Sequence, residues 1–392
     1  MPLSPARSPA SRLQRAWCLV LLALLGALAG TAARGEAEGA GRLRARSLFL
    51  EAPDGLLELA LKPDQAPVWR FPGLVADEVE DRLRRFGLDD AQLAVLQRAE
   101  VRRIGADGVS LLPPLALLLE LRPAVRASVY AELARSPLNP DHFGPLFLFG
   151  DPDAWLAGSD LSEVQRELVR RLRWQRDGYW RFSDVSALIA AARSAPEILA
   201  ARRFMTRRQA WRLWLATPTA AEREAFVRQW TAEDRHVDAV PLLEALAAGR
   251  AGESLELALL LPALARERVY TYPSLRDAVA GRLPDCNWTA LNFFTARPET
   301  YYLDPYPAYL ELTQNYREVA APGSFGDLAC FISTDGRVFH SCVVLGDGFV
   351  FTKNGEGLFA PWLIMPLADL GAVYGDEGRR TIRYFRLKSG GG

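Results

Sequence analysis

A cysteine behind a capping acid is the first pattern in this chain with the means to do chemistry. In Pro284-Asp285-Cys286-Asn287-Trp288-Thr289-Ala290-Leu291, Asp285 is a good helix N-cap. Trp288, Leu291 and Phe294 share one face, so the spacing predicts a buried helix with Cys286 in its first turn. Free backbone N–H groups and the helix dipole at that place favour a thiolate, the nucleophilic form of the side chain. The same N–H groups suit an oxyanion formed during acyl transfer. The plainer reading of Cys286 is a small core side chain, and its first-turn position after a capping acid argues against it.

Such a nucleophile needs an imidazole to take and return a proton near neutral pH. The candidates are His142, His236 and His340. His142 follows Asn139-Pro140-Asp141 in a loop-like stretch and His236 lies near a helix end, which leaves His340 as the one able to face a helix start. Residues 326–332 read as a strand, Thr334-Asp335-Gly336 as a turn and residues 338–345 as a second strand bearing His340. Gly346-Asp347-Gly348 then signals a hairpin into a third strand over 349–352, so an antiparallel meander is expected. Cys330 and Cys342 fall on adjacent strands of it. Depending on register they are close enough for a disulfide, leaving Cys286 as the free thiol, or they are two buried free thiols. Cys342, two residues beyond His340 on the same strand face, is a rival thiol partner for the ring.

Taken in order, Asp285-Cys286 opening a helix, Gly326-Asp327-Leu328 starting a strand, His340 on the next strand and the Gly346-Asp347-Gly348 hairpin resemble the NlpC/P60 family, papain-like cysteine peptidases that cut bacterial cell-wall peptides. Cys286 and His340 stand 54 residues apart, and the resemblance covers residues 268–365. It implies a papain-like domain over 251–392, a helix packed on an antiparallel sheet, working without cofactor or metal on a peptidoglycan peptide or another peptide. It implies a third catalytic residue about a dozen positions after the histidine. Thr352 stands at twelve, and Asn354, two further on, is able to accept the imidazole N–H. It also implies a tyrosine upstream of the cysteine near the reacting carbonyl, which is Tyr272 or Tyr270 here. The usual Ser-Gly after the cysteine is replaced by Asn287-Trp288, and a bulky Trp288 narrows the cleft; Asp285, Trp288 and Tyr272 form the expected substrate-facing set. The alternative in a different class is a catalytically inactive exported binding or scaffold protein that keeps the fold.

The elements that must hold this constellation follow from hydrophobic spacing. Fold class α+β is expected, with a mostly helical region of unknown function over 34–250 ahead of the 251–392 domain. Helices are expected over 75–86, after Asp89, and over 162–175, 184–195, 207–216 and 218–232, each with apolar residues three and four apart. Short strands are expected at 47–50 and 56–61 around Pro53-Asp54-Gly55, a linker or cap at 251–254, and a short helix over 275–282. Trp174, Trp180, Trp211, Trp214 and Trp230 read as packing between helices rather than as a ligand groove. No internal repeat and no Walker or dinucleotide-binding glycine pattern appears.

The first residues read as an export signal over 1–33. Arg7, Arg12 and Arg15 precede an apolar run over 17–29, with Ala27-Leu28-Ala29 as the cleavage pattern; an uncleaved N-terminal anchor is the alternative and the only membrane attachment foreseen. Export to a bacterial periplasm or the medium is therefore expected. Of the four cysteines, cleavage leaves three, an odd number that keeps at least one thiol unpaired. With 47 basic and 47 acidic side chains and no basic stripe, a nucleic-acid partner is not expected.

Overall fold

The computed structural model describes residues 43–59, 67–374 and 380–388. The expected signal segment lies outside them. Among the described residues no helix is long and apolar enough to cross a membrane.

Strand β1 (Leu43–Leu50) leads into α1 (Asp54–Leu59). Next come β2 (Trp69–Pro72), α2 (Ala76–Phe86), α3 (Asp90–Gln97), β3 (Arg102–Gly105) and β4 (Gly108–Leu111), whose strands order as β2-β4-β3. Helices α4 (Leu115–Glu120), α5 (Pro123–Leu133) and α6 (Pro140–Phe143) precede β5 (Leu146–Leu148). After α7 (Pro152–Ala157) and α8 (Glu163–Leu172) come β6 (Trp174–Arg176) and β7 (Tyr179–Phe182), giving a β5-β7-β6 sheet. Helices α9 (Val185–Ala190) and α10 (Ala195–Thr206) then deliver the chain to β8 (Arg208–Ala216), followed by α11 (Arg223–Trp230), α12 (Val240–Ala247) and β9 (Ser254–Glu256). Among the described residues the chain is α+β: those over 43–250 carry eight strands interleaved with more numerous helical residues.

Local signals account for the helices that match. Asp89 caps α3 by accepting from the Gln92 N–H at 2.8 Å, and α2 stops at Gly87, whose φ of 101° suits a left-handed C-cap. The mismatches have physical reasons. Of the helix expected over 207–216, residues 208–216 form a strand instead, because β8 pairs with the whole of β1, from Leu43↔Leu215 to Leu50↔Arg208, and takes β9 on its other edge. Trp211 and Trp214 therefore lie on a strand, and the expected linker at 251–254 runs into β9. Residues 56–61 begin as helix, since Pro53 caps a turn whose carbonyl accepts from the Leu56 and Leu57 N–H groups. The helix expected to run to 175 ends at Leu172, and the short helix expected over 275–282 is a single 3₁₀ turn, Leu275–Asp277.

The second half continues with α13 (Ala263–Arg268), α14 (Cys286–Leu291) and α15 (Pro305–Asn315). A six-stranded antiparallel sheet follows, built from β10 (Tyr316–Val319), β11 (Leu328–Ser333), β12 (Val338–Gly346), β13 (Phe349–Lys353), β14 (Trp362–Pro366) and, after α16 (Leu367–Val373), β15 (Arg380–Leu387). Its order is β10-β15-β11-β12-β13-β14, so the last strand is inserted between β10 and β11. The Gly-Asp-Leu motif fixes that insertion. Gly326 has φ +84°, and a Cβ there would meet Phe294 at 2.4 Å. Asp327 is wholly buried and receives both Nε and Nη2 of Arg386 at 2.8 Å each, a bidentate pair that clamps β15. The β12–β13 hairpin turns on Asp347 and Gly348, both with positive φ.

Strand alternation gives the sheet two apolar faces. Cys330, Val343, Phe351 and Trp362 pack with Trp288 and Phe293 of the α14 segment. Ala329, Phe331, Cys342, Val344 and Met365 pack with Leu370 of α16, in one cluster with Trp69, Tyr130 and Phe204 of the first half. Both clusters thus draw on residues from either side of position 250.

Candidate active site

Helix α14 starts at Cys286 because Asp285 caps it, its carboxylate accepting from the Trp288 N–H at 2.8 Å. Thr289 donates to the Asp285 carbonyl and receives the indole N–H of Trp362 at 2.9 Å, tying the helix to β14. Cys286 keeps 7% of its surface exposed. The backbone amides of Ser341 in β12, of Asn287 and of Cys286 itself act electrostatically in favour of its thiolate. Burial nonetheless pushes the thiol up to about 12, and the neighbouring Asp285 charge acts in the same direction.

Helix α14 meets Ser341 through Asn287 where the sheet unzips. The β12–β13 ladder ends at Val343↔Phe351, so Ser341 and His340 pair only with β11 and have no ladder partner on β13. Alternation along β12 sends the two side chains to opposite faces. The Ser341 hydroxyl donates to Asn287 Oδ1 of α14 at 2.8 Å. The His340 ring lies on the α16 side, stacked on Tyr374 with centroids 4.1 Å apart and edge-on to Phe331 at 5.5 Å. It is wholly buried, and burial lowers its pKa to about 3, so it is neutral at ordinary pH.

Which ring nitrogen carries the proton follows from its neighbours. His340 Nε2 lies 3.0 Å from Thr352 Oγ1, and the Thr352 hydroxyl donates onward to Asn354 Oδ1 at 3.1 Å. Thr352 therefore accepts at the ring, which places the proton on Nε2 and the lone pair on Nδ1. Nδ1 is buried without a hydrogen-bond partner. Neither ring nitrogen is hydrogen-bonded to the Cys286 sulfur.

Of the residues singled out from sequence, His340, Thr352 and Asn354 form one hydrogen-bonded chain, while Asp285 and Cys286 stand together at the α14 start. Thr352, not Asn354, touches the ring; Asn354 is the second link of the relay. Tyr272 and Tyr270 do not belong to the site. The Tyr272 hydroxyl is committed to the carbonyls of Thr206 and Leu50 at 2.8 and 3.2 Å, and that of Tyr270 to Trp211 at 2.6 Å, because both tyrosines stitch this segment to β1 and β8. Trp288 faces the core rather than a cleft. Cys330 and Cys342 are free and leave opposite faces of the sheet, since Cys330 is opposite Ser341 and Cys342 opposite Ala329. His142 packs against Tyr130, and His236 bonds the Leu260 carbonyl at 2.6 Å.

Three neighbours carried no role in the sequence: Ser341, Lys353 and Tyr374. Lys353 stands between the two polar candidates and was legible as a position only; Tyr374 left no signal. Among the described residues, no group of three or more His, Cys, Asp or Glu side chains is placed to hold a metal ion. Comparison of the chain with family models, with curated proteins and with solved structures finds no match in any of the three.

Proposed function

We propose that this chain is an exported cysteine hydrolase cutting amide bonds, with the cell-wall peptides suggested by its NlpC/P60-like pattern as substrate class and a papain-like arrangement of its C-terminal part. The observation that carries the reading is His340 Nδ1: a buried lone pair, its tautomer set by Thr352 and Asn354, on the residue preceding Ser341, whose hydroxyl bonds Asn287 of the helix that Cys286 opens. In the reaction the Cys286 proton passes to Nδ1 and the sulfur attacks the amide carbonyl carbon. The Asn287 and Cys286 N–H groups are the donors at hand for the oxyanion. The C–N bond breaks as Nδ1–H protonates the leaving amine, and water then hydrolyses the thioester.

A second reading, a non-catalytic scaffold, is favoured by the same burial. It leaves both thiol and imidazole neutral at rest. Alkylation separates the two. For the hydrolase, iodoacetamide at neutral pH labels Cys286 faster than an unfolded control, and His340→Ala abolishes the advantage. Wild-type protein also releases peptides from purified sacculi and Cys286→Ala does not. Labelling no faster than in the unfolded chain, or equal release by both proteins, favours the scaffold.

A further inference from the structure

Strand β1 ends its sheet, whose order is β1-β8-β9, so β8 pairs one of its edges and no described strand takes the other. The ladder fixes which backbone groups face that free edge. Successive residues of a strand turn their N–H and C=O to alternate edges. The Leu43 N–H leaves the ladder and donates to Asp347 Oδ2 at 2.7 Å, so Ala45, Ser47 and Phe49 also face outward. The other strand gives the same alternation. Just past β8, the Thr217 N–H donates to the Glu253 carbonyl on the β9 side, which leaves the even-numbered residues of β8 to bond Arg44, Arg46, Leu48 and Leu50. The outward groups of Ala45 and Ser47 bond to no described residue, and residues 44–47 are exposed throughout.

The side chains beside this edge carry one sign. Arg44 stands opposite Trp214 and Arg46 opposite Arg212, so the four share a face. Arg212 lies 5.2 Å from the Trp214 ring and is answered by Glu256 of β9 at 2.7 Å. No carboxylate among the described residues pairs with Arg44 or Arg46. Two arginines directly opposite each other are unfavourable, and only the one on the far side has its counter-charge. Charges on an edge oppose self-pairing. A second copy of β1 laid antiparallel here would bring its own Arg44 and Arg46 onto the face that already holds these two. A strand bearing carboxylates meets the opposite sign. We infer that the free edge of β1 docks an extended acidic segment of a partner protein, added as an antiparallel fourth strand with carboxylates two residues apart against Arg44 and Arg46. Main-chain bonds to Ala45, Ser47 and Phe49 hold the segment, and the arginines select its charge. Asp347 already occupies the Leu43 amide, so the added strand begins at Ala45. The inference is independent of Cys286 and its chemistry.

The test is fluorescence anisotropy of a labelled, end-blocked octapeptide of alternating glutamate and valine, titrated with the full chain. Saturable binding is expected, and none for the alternating lysine–valine peptide. Arg44→Gln combined with Arg46→Gln should weaken binding about tenfold, the effect of two exposed ion pairs. Ser47→Pro removes an outward N–H and leaves the bonds to β8 in place, a change that an edge strand tolerates. It should abolish binding at an unchanged melting temperature. If that variant does not fold, N-methylated peptides decide. With glutamates against the arginines, the valine N–H groups face β1, so N-methylvaline should abolish binding and N-methylglutamate should leave it intact. Equal affinities for the two, or the reverse order, overturn the proposal. So does equal binding of the lysine peptide, or no binding at all. Dimerisation of the wild-type chain that Ser47→Pro abolishes would give the edge to a second copy instead.

Discussion

At the scale of single residues, the site turns on how a hydroxyl disposes of one proton. Thr352 is a weak orienter taken alone, but Asn354 takes its hydrogen and leaves the oxygen as an acceptor for His340 Nε2–H. Thr352→Val strands that N–H in a buried place, which is expected to cost about 1–3 kcal/mol of stability in urea unfolding. It also frees the ring to change tautomer. Labelling of Cys286 should slow on the order of tenfold, part of the ~10²–10⁴ that a positioned base contributes. Thr352→Ser, which keeps the hydroxyl, should retain the wild-type rate. Equal rates in the valine and wild-type proteins would detach the relay from the chemistry.

At the scale of elements, α14 is a short helix doing two jobs through one residue. Asp285 caps it, and its charge also opposes ionisation of the next side chain. The jobs are separable. Asparagine caps as well as aspartate, so Asp285→Asn should hold its unfolding free energy to within about 0.5 kcal/mol of wild type, whereas Asp285→Ala should lose about 1 kcal/mol. Both remove the charge, so both should lower the thiol midpoint and label Cys286 faster at a given pH. If Asp285→Asn labels at the wild-type rate, that charge does not govern the sulfur. The β12–β13 split is the matching device in the sheet. Where the ladder stops at Val343↔Phe351, the Ser341 hydroxyl of one strand is left for Asn287 of α14 and the Thr352 hydroxyl of the other for the ring.

At the scale of the whole molecule, buried ionisable groups inside and outside the site set the response to pH. Asp184 is 3% exposed and receives the Tyr130 hydroxyl at 2.8 and 3.0 Å, while burial raises its pKa to about 7. Between about pH 4 and 7 the unfolded chain gives up this proton and the folded chain keeps it, so this group's contribution to stability is lost as pH rises through that window. His142 and His340 act oppositely. Each is lowered to about 3, so stability falls as pH drops below the unfolded value near 6.5. Asp184→Asn keeps an acceptor for Tyr130 and removes the first effect. The variant should gain on wild type by up to about 4 kcal/mol as pH is raised from 4 to 7, and no further above that. Parallel stability curves in denaturant titrations at those pH values would show that Asp184 ionises normally in the fold.

The sequence by itself determined the parts of this protein that contiguous residues specify. A capping Asp285 before an apolar spacing placed Cys286 at a helix start, glycines and Asp347 placed the hairpin turn, and alternation placed His340 on a strand. Only the tertiary structure decided the rest. Residues 207–216 read equally well at helical spacing, and β1, distant in sequence, made them a strand by pairing with all of it. Tyr272 was recruited to carbonyls of β1 and the β8 junction, Thr352 was chosen over Asn354 by strand register, and Lys353 gained a face only when β14 and α14 closed around it. The thiol and the imidazole are neutral for the same reason: desolvation depends on everything packed around a group, and neighbours along the chain do not record it.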